Sequence, residues 1–385
     1  MEMAQTEKLA KKTVIKLVLL GCGGVGRHLL QRIITTRALH ESAGLHLAVV
    51  AVSDSKGFVL STKELVDSVL NSIISAKHRN VNLSEWYHSS PNEENCEFNA
   101  VSRHEATLQL LRTWDLPTVV VDCTASEETG ELLGMAAAQG FYVVLANKKP
   151  ITSSLNVYDQ ITSLGRRFRC ESTVGAGLPV MATLSRTLAA GDPIHRIVGA
   201  LSGTLGYVMS GLQDGRPYSE VVATAKKLGY TEPDPRDDLS GLDVARKALI
   251  MARAMGWRLD LEEVEVESLY PSEMRPQSMP LEEFLSKGVP SLDLSMHERV
   301  QAALGRKAVL RYVATIENGK CKVGFMQVSP DSPVGRLCGS DNLLEIYTDC
   351  YKEAPLVIQG AGAGNDTTAA GVLADIIDLQ DLFKI

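Results

Sequence analysis

Short apolar runs alternate with stretches of helical spacing along the first 150 residues of the chain. Four of these runs predict strands: Val14–Leu20, Leu45–Val52, Thr118–Cys123 and Phe141–Leu145. Apolar residues recur at helical spacing between Val25 and Ile34 and between Glu127 and Gln139. Continuous apolar strands are typical of sheets buried on both faces, so this α/β pattern predicts a doubly wound parallel sheet.

Beyond Pro150 the pattern becomes that of an α+β domain. Helices are predicted at Thr152–Leu164, Val180–Ala190, Leu281–Ser286, Leu292–Leu304 and from Thr367 to about Leu379. Strands are predicted at Phe168–Val174, His195–Leu201, Val309–Ile316, Lys320–Val328, Leu344–Tyr347 and Leu356–Gln359. Asn318-Gly319 is a strong hairpin signal, and Ser202-Gly203-Thr204 is interpreted as a turn. The polar segment from about Ser61 to Arg103 is interpreted as a partly helical insertion in the first domain.

The composition is that of a globular protein with two domains, since 45% of its 385 residues are hydrophobic. The formal net charge is −7, from 39 basic and 46 acidic residues, and there is no long basic run. Nucleic acid and anionic membranes are therefore unsupported as partners, and we expect a small molecule. Seven cysteines without CxxC spacing indicate free thiols in a reducing compartment. With no signal, transit or bilayer-spanning segment in view, we expect a cytoplasmic protein.

A glycine-rich turn lies between the first predicted strand and the first predicted helix, with the sequence Gly21-Cys22-Gly23-Gly24-Val25-Gly26. In such a turn Gly21 takes the tight bend, Gly23 lets the main chain approach a pyrophosphate, and Gly26 lets the helix pack against the strand. The helix N-terminus attracts the phosphates. The motif alone is weak evidence, but its place between strand and helix favours a Rossmann-type dinucleotide site.

The carboxyl ends of the other predicted strands are expected to line the same crevice. They are Ser53-Asp54-Ser55-Lys56, Asp122-Cys123-Thr124-Ala125-Ser126 and Ala146-Asn147-Lys148-Lys149-Pro150. A carboxylate at Asp54 favours NAD by binding the ribose 2′-hydroxyl, whereas Lys56 favours the 2′-phosphate of NADP. Asp54 also lies further from the glycines than the usual ~20 residues. Both cofactors therefore stay open at this point.

The acidic stretch Thr231–Lys247 contains five carboxylates around the start of a predicted helix and a lysine within that helix. Proline at positions 233 and 235 keeps the start extended, so a helix begins only after Pro235. Asp243 and Lys247 are then four residues apart on one helical face. Taken alone, such a pair is an ordinary solvated ion pair worth about 0.3–0.5 kcal/mol. The nearby nucleotide motif and further polar groups favour a functional site instead.

At this point the chain resembles homoserine dehydrogenase in the monofunctional form of plants and fungi, from Val14 to the last predicted helix. The resemblance rests on Gly21–Gly26, Ala146–Pro150, Glu171–Pro179, Ser202-Gly203-Thr204, Tyr230–Lys247 and Gly360–Gly371. The Tyr230–Lys247 stretch is the most specific, because a long irregular acidic sequence has no generic structural reason to recur. The loop Gly360–Gly364 is also consistent with a plain strand-to-helix turn.

The resemblance implies the NAD(P)-dependent interconversion of L-homoserine and L-aspartate 4-semialdehyde, in threonine, methionine and isoleucine biosynthesis, by a homodimer. It implies that Lys247 is the proton donor and acceptor, with Asp243 as catalytic partner and Lys148 contacting both cofactor and substrate. The implied substrate-binding residues are Glu232, Asp238, Gly203 and Thr204. The implied cofactor-binding residues are Gly21, Cys22, Gly23, Gly24, Val25, Gly26, Ser53, Lys56, Thr124, Lys148, Gly203 and Gly364. Main-chain carbonyls of Glu171, Val174, Ala176 and Leu178 are expected to hold a structural sodium ion.

We therefore expect a dinucleotide-binding domain at residues 1–150 and a catalytic, substrate-binding and dimerisation domain at 151–345. Residues 346–385 are expected to return to the nucleotide domain. Lysine suits the acid–base role if burial or a second cation lowers its pKa. One alternative is a semialdehyde dehydrogenase acting through a thioester, for which Cys123 and Cys170 are the candidates near strand ends. Another is a non-catalytic NAD(P)-binding sensor, which has no reason to retain Asp243, Lys247 and Lys148 together.

Overall fold

The chain divides by internal contacts into two compact units in a computed structural model that describes residues 12–89, 96–100 and 117–383. Unit 1 comprises Met1–Pro150, Asn156–Cys170 and Thr368–Ile385, and unit 2 comprises Ile151–Leu155 and Glu171–Thr367. The functional division expected at residues 150 and 345 stays a prediction, since contacts alone do not assign roles to the units.

The described part of unit 1 contains a seven-stranded sheet in the order β4-β3-β2-β1-β5-β6-β7. Its strands are β1 (Thr13–Leu20), β2 (Leu45–Asp54), β3 (Gly57–Leu60), β4 (Glu97–Asn99), β5 (Thr118–Asp122), β6 (Tyr142–Leu145) and β7 (Phe168–Arg169). The helices are α1 (Gly24–Thr35), α2 (Arg37–Ser42), α3 (Asp67–His78), α4 (Leu83–Ser89), α5 (Thr129–Ala138) and α6 (Leu155–Thr162). Strands β2, β1, β5, β6 and β7 run parallel, which confirms the predicted doubly wound sheet.

The inserted segment extends the sheet at one edge, because β3 and β4 pair antiparallel with each other and β3 pairs antiparallel with β2. Helices α3 and α4 lie between these two strands in sequence. The predicted partly helical character is thus confirmed for residues 61–89; Arg103 and the rest of that prediction lie outside the described residues.

Unit 2 has a six-stranded sheet among its described residues, in the order β13-β12-β8-β10-β11-β9. These strands are β8 (Ile194–Ala200), β9 (Glu265–Val266), β10 (Val309–Glu317), β11 (Lys320–Val328), β12 (Asn342–Thr348) and β13 (Leu356–Gly360). The helices are α7 (Val180–Ala189), α8 (Gly203–Gln213), α9 (Tyr218–Lys227), α10 (Arg236–Leu239), α11 (Leu242–Ala254), α12 (Leu281–Glu283), α13 (Val289–Ser291), α14 (Asp293–Gly305), α15 (Pro333–Arg336) and α16 (Asn365–Ile377). Asn318 and Gly319 both have positive φ, of 51° and 75°, which confirms the tight hairpin between β10 and β11.

The last helix, α16, begins in unit 2 at Asn365, but its residues from Thr368 onward belong to unit 1. Ala369, Val372 and Ile376 are fully buried members of the apolar core that also contains β1 and β2 residues. Tyr142 on β6 makes an edge-on ring contact with Phe383, just beyond the helix.

Two elements are shorter than the apolar pattern predicted. The strand expected at Phe168–Val174 ends at Arg169, because Glu171–Thr173 turns into a 3-10 helix. The helix expected at Thr152–Leu164 begins only at Leu155. The carbonyls of Ile151 and Ser153, at the expected start of this helix, instead accept hydrogen bonds from the Arg253 guanidinium.

Helices α8 and α9 were not predicted, and the segment Ser202-Gly203-Thr204 is a helix start rather than a turn. Ser202 is the N-cap and its Oγ accepts the Leu205 N–H at 3.2 Å. Glycine lowers the helix propensity of this segment, but Gly206 and Gly211 allow close packing. A Cβ at Gly206 would lie 2.8 Å from the Gly339 carbonyl, so tertiary contact overrides local propensity.

The helix predicted at Leu281–Ser286 is also different in form. An α-helical turn, α12, continues as a π-helix over Phe284–Gly288. The helix expected after Pro235 begins there but is broken at Gly241, whose φ is 76°, into α10 and α11. A Cβ at Gly241 would overlap the Tyr312 hydroxyl, so only glycine fits this break.

Candidate active site

The glycine-rich turn joins β1 to α1 and leaves one face of its backbone open. A Cβ at Gly23 would meet nothing within 4 Å, so the packing of the protein itself does not require glycine there. In contrast, a Cβ at Gly21 would lie 2.8 Å from Thr124, and one at Gly26 would overlap the Gly21 carbonyl. Gly23 caps α1 without a side-chain hydrogen bond. The N–H groups at the start of α1, beginning with Gly24 and Val25, therefore suit a phosphate.

The end of β2 is tied to this turn through Ser53. The Gly21 N–H donates to the Ser53 carbonyl at 3.2 Å and approaches the Ser53 hydroxyl at 3.3 Å. Cys22 is buried, whereas Lys56 is exposed in the tight turn between β2 and β3. The structure therefore brings Ser53 to the predicted cofactor loop and leaves the Lys56 amine at the surface.

Asp122 organises the strand ends that carry Thr124 and Lys148. Its fully buried carboxylate accepts the Thr124 N–H at 2.8 Å, the Thr129 hydroxyl at 2.7 Å and the Asn147 amide at 3.1 Å. The Asn147 Oδ1 accepts the Lys149 N–H at 3.1 Å, which fixes the segment containing half-buried Lys148. Burial raises the pKa of Asp122, and the hydrogen bonds from Thr124, Thr129 and Asn147 oppose that rise.

In unit 2, the predicted substrate residues converge on the start of α8. The Thr204 hydroxyl lies within hydrogen-bonding distance of two acceptors, the Tyr230 carbonyl at 2.5 Å and Asp238 Oδ1 at 3.0 Å. The other oxygen of Asp238 accepts the Glu232 N–H at 2.8 Å. Asp238 thus joins Thr204 to Glu232, whose own side chain is exposed.

The predicted catalytic pair lies at the same place. Lys247 is only 8% exposed, and its Nζ donates to the Leu201 carbonyl at 2.7 Å and contacts Asp243 Oδ2 at 2.8 Å. Leu201 directly precedes the cap residue Ser202, so Lys247, Gly203 and Thr204 are gathered at the end of β8. The structure therefore brings Lys247 and Asp243 together with the predicted substrate-binding residues of unit 2.

The carboxylates of the acidic stretch have different environments. Burial raises the pKa of Asp238, and nearby Asp243 raises it further, while bonds from Glu232 and Thr204 oppose the rise. The Arg236 guanidinium holds the pKa of Asp234 below its usual range. Arg236 is 3% exposed and also donates to the Met274 and Met279 carbonyls, so Asp234 is committed to holding the segment in shape.

The turn predicted to bind sodium is held by the side chain of Glu171. Its carboxylate accepts the N–H groups of Met181 and Ala182, at 2.6 and 2.8 Å, and so caps the start of α7. Gly175 and Ala176 are both left-handed, with φ of 78° and 57°, and Ala176 is buried. A left-handed alanine is strained, and such turns re-aim main-chain carbonyls.

The second glycine loop packs against Asn342 at the start of β12. The Asn342 amide lies 3.5 Å from the Gly362 carbonyl, and a Cβ at Gly362 would overlap it. Asn342 pairs with Gly360 and its neighbour Leu343 pairs with Ala200, so this loop lies at the same end of the sheet as Leu201. Gly364 is exposed just before α16.

From the sequence alone, Asp122 and Asn147 are only parts of predicted strand ends, without an assigned role. A polar pair directly after two neighbouring parallel strands is the signal that was available for them. Neither the buried role of Arg236 nor the packing of Asn342 on Gly362 had a local signal, because both depend on partners distant in sequence. Burial raises the pKa of the Cys123 thiol well above its usual value, which is opposite to what a thioester-forming nucleophile requires.

Comparison with known protein families assigns both parts of the chain to one group. Residues 21–174 match the model described as "Homoserine dehydrogenase, NAD binding domain", and residues 179–377 match the model described as "Homoserine dehydrogenase". No helix among the described residues combines the length and apolar character needed to cross a bilayer.

Individual relatives agree with these matches. The chain is 42% identical over 278 residues to a homoserine dehydrogenase of Paracoccidioides brasiliensis, covering 68% of this chain and 74% of the relative. It is 36% identical over 371 residues to a bifunctional aspartokinase/homoserine dehydrogenase of Haemophilus influenzae, covering 95% of this chain but only 43% of that relative. A hyperthermophilic archaeal homoserine dehydrogenase mutant, solved in complex with NADPH, is 25% identical with a TM-score of 0.72, covering 97% of this chain and 99% of that one.

Proposed function

We propose, because this chain belongs to the homoserine dehydrogenase family, that it interconverts L-homoserine and L-aspartate 4-semialdehyde with NAD⁺ or NADP⁺. The observation that carries the proposal is the buried Lys247 ammonium, held by the Leu201 carbonyl and Asp243 beside Gly203 and Thr204. A buried lysine needs partners for its charge, and here they are one carbonyl and one carboxylate. Bonded to the Leu201 carbonyl and to Asp243, the Lys247 amine lies at the end of β8, beside the proposed substrate-binding residues.

Lys247 is the proposed acid and base. When homoserine is oxidised, the hydroxyl proton passes to the neutral amine form of Lys247, and in the reverse direction the ammonium form of the same group gives a proton to the aldehyde oxygen. The nicotinamide ring of the bound cofactor supplies the acceptor or donor of the hydride. Asp243 holds the lysine in place through its 2.8 Å contact and balances its charge.

Asp238 and Glu232 are proposed to bind the substrate α-ammonium group. Asp238 is positioned by the Thr204 hydroxyl at 3.0 Å and by the Glu232 N–H at 2.8 Å. The partly buried carboxylate of Asp238 provides the less screened and therefore stronger attraction, whereas the exposed Glu232 carboxylate is screened by solvent. A Cβ at Gly203 would lie 3.1 Å from the Ser340 carbonyl, so glycine allows the start of α8 to pack closely against Ser340.

The cofactor proposal rests on the glycine turn of unit 1, which has an open backbone at Gly23 and an uncapped helix start. The pyrophosphate would be held by the main-chain N–H groups at the start of α1, beginning with Gly24 and Val25. Ser53, Thr124 and Lys148 stand at the neighbouring strand ends, and Gly364 is proposed as a further contact. The archaeal relative bound to NADPH supports a nicotinamide cofactor for this chain.

A structural sodium ion is proposed at the turn Glu171–Leu178. The left-handed Gly175 and Ala176 re-aim carbonyls there, and the Glu171 and Leu178 carbonyls each accept one main-chain bond, at 3.3 and 2.8 Å. A carbonyl has two lone pairs, so each retains capacity for a hard cation. Unfolding in NaCl and in KCl at equal ionic strength tests this: a higher midpoint in NaCl supports the ion, and equal midpoints refute it.

The chain spans about two fifths of the length of the bifunctional relatives it matches. From the family we propose a homodimer acting in the cytoplasm in threonine, methionine and isoleucine biosynthesis. Light scattering on the purified protein tests the dimer, and a monomer at micromolar concentration would contradict it.

The activity is tested by following absorbance at 340 nm with purified protein and L-homoserine, with NAD⁺ and NADP⁺ in parallel. Reduction of cofactor that depends on homoserine supports the proposal. Lys247→Met in the same assay shows whether the signal belongs to this site. Cofactor binding without turnover by the wild type would instead identify a non-catalytic NAD(P)-binding protein.

A further inference from the structure

Asp54 ends β2, at the position from which a carboxylate usually binds the 2′-hydroxyl of the adenosine ribose. Here that carboxylate is already bonded within the protein. Its Oδ2 accepts the Lys77 amine at 2.7 Å and the Leu83 N–H at 2.8 Å, and its Oδ1 accepts the Lys56 N–H at 2.9 Å. The Asp54 side chain is 8% exposed. A carboxylate offers about four lone-pair sites, so little capacity remains for a ribose.

Two of the three donors to Asp54 come from the inserted segment. Lys77 lies in the last turn of α3, and Leu83 is the first residue of α4. Asp54 therefore caps α4 and ties the insertion to the end of β2. The Lys77 side chain is itself only 15% exposed, so the pair is screened from water and the two charges cancel.

The Asp54–Lys77 pair lies beside the glycine turn. Burial raises the pKa of the Cys22 thiol to about 12, and among the remaining influences Lys77 and Arg27 lower it while Asp54 raises it. One further cation is close to the glycine turn, and another is close to Asp54. Arg27 Nε donates to the Gly23 carbonyl at 3.3 Å, and Lys56 follows Asp54 by two residues in an exposed turn. With Asp54 neutralised, the local charge is positive.

We propose that Lys77 determines cofactor specificity: by occupying and neutralising Asp54, it removes the acceptor for an unmodified ribose and the repulsion toward a 2′-phosphate. The chain therefore selects NADP(H) over NAD(H). This proposal rests on the nicotinamide cofactor of the proposed function but not on homoserine as the substrate. Lys77 acts through Asp54 and is not a phosphate ligand in this proposal.

A double-mutant cycle on Lys77 and Asp54, called the charge cycle below, tests this proposal. Dissociation constants for NADP⁺ and NAD⁺ are measured by titration calorimetry. In Lys77→Met the uncompensated carboxylate weakens NADP⁺ binding by about tenfold or more, which is about 1.4 kcal/mol, while NAD⁺ binding is unchanged or tighter. In Asp54→Asn, NADP⁺ binding is not weakened. The double variant returns NADP⁺ affinity to within about threefold of the wild type, since the charge responsible is gone.

Lys63→Met is the matched control, because Lys63 is an exposed lysine of the same inserted segment. It leaves both affinities unchanged. The NAD⁺ titration reports whether the fold around the glycine turn survives in each variant. A parallel loss of NAD⁺ and NADP⁺ affinity in Lys77→Met, rescued by no second substitution, would overturn the proposal, as would a wild type that prefers NAD⁺.

The two proposals fail separately. Wild-type protein that binds NADP⁺ selectively, responds to the charge cycle and does not oxidise homoserine refutes the proposed function and supports the role of Lys77. Wild-type protein that oxidises homoserine with both cofactors equally well, and whose Lys77→Met form keeps that balance, refutes the role of Lys77 alone.

Discussion

Lys247 and Asp243 contact each other at 2.8 Å on one face of α11, but they are unequally exposed: 10% of the lysine side chain and 48% of the aspartate side chain reach solvent. An ordinary surface pair exposes both partners. Here the ammonium is withdrawn into the protein and satisfied by the Leu201 carbonyl at 2.7 Å. Withdrawing a charge from water is unfavourable unless its partners are fixed, so this arrangement indicates a site for chemistry rather than for stability.

Lys247→Met is expected to lower kcat for homoserine oxidation by about 10²–10⁴-fold, because the proton acceptor is removed. Cofactor affinity is expected to stay close to that of the wild type, since Lys247 lies in unit 2 and the glycine turn in unit 1. Stopped-flow kinetics and cofactor titration measure the two quantities. Lys227→Met, on the exposed face of α9, is the control and keeps full activity. Lost cofactor binding with an intact fold would contradict the acid–base role.

The KM for homoserine is expected to rise on acidification at a higher pH than an ordinary aspartate would allow. Burial raises the pKa of Asp238 above its usual 3.8, so the proton is bound more tightly in the folded protein. Once protonated, Asp238 no longer attracts the substrate ammonium, and KM increases as the pH falls through the raised pKa. Asp238→Asn is expected to raise KM and to remove this acid limb; an unchanged pH profile would remove Asp238 from the substrate site.

Asp122→Asn is expected to destabilise unit 1 by about 1–3 kcal/mol, because an amide cannot accept from all the donors that now converge on the carboxylate. The donors are the Thr124 N–H, the Thr129 hydroxyl and the Asn147 amide. Denaturant unfolding measures the loss, and cofactor titration is expected to show weaker binding through displaced Thr124. Glu131→Gln on the exposed face of α5 is the control. A variant as stable as the wild type would show that the network is dispensable.

Glu171→Ala is expected to lower the stability of unit 2 by about 1–2 kcal/mol through the loss of a helix cap. Its carboxylate accepts the N–H groups of Met181 and Ala182 in the first turn of α7. Its negative charge also interacts favourably with the positive end of the helix dipole. Glu171→Gln keeps one of these bonds and is expected to lose less. Thermal unfolding of the three proteins ranks them, and equal midpoints for wild type and alanine variant would exclude the cap.

Local pattern carried much of the fold and of the candidate site. The doubly wound sheet followed from short apolar strands, and the glycine turn from its place between β1 and α1. Helix α8 was missed because Gly203, Gly206 and Gly211 weaken local helix propensity, while packing against other segments compensates. The strand at Phe168 was predicted too long because the Glu171 side chain bonds to residues ten and eleven positions further along.

What the sequence by itself determined is whatever depends on neighbours within about one helical turn or one strand, such as the spacing of Asp243 and Lys247 and the order of strand, glycine turn and helix. Only the tertiary structure decided which groups the charged side chains contact. Lys247 donates to the Leu201 carbonyl, 46 residues away in sequence. Asp54, whose position is that of a ribose ligand, forms an ion pair with Lys77 of an inserted helix. The physical reason is that burial and pairing of a charge depend on which distant segments pack around it, and the local pattern of apolar and polar residues does not contain this information.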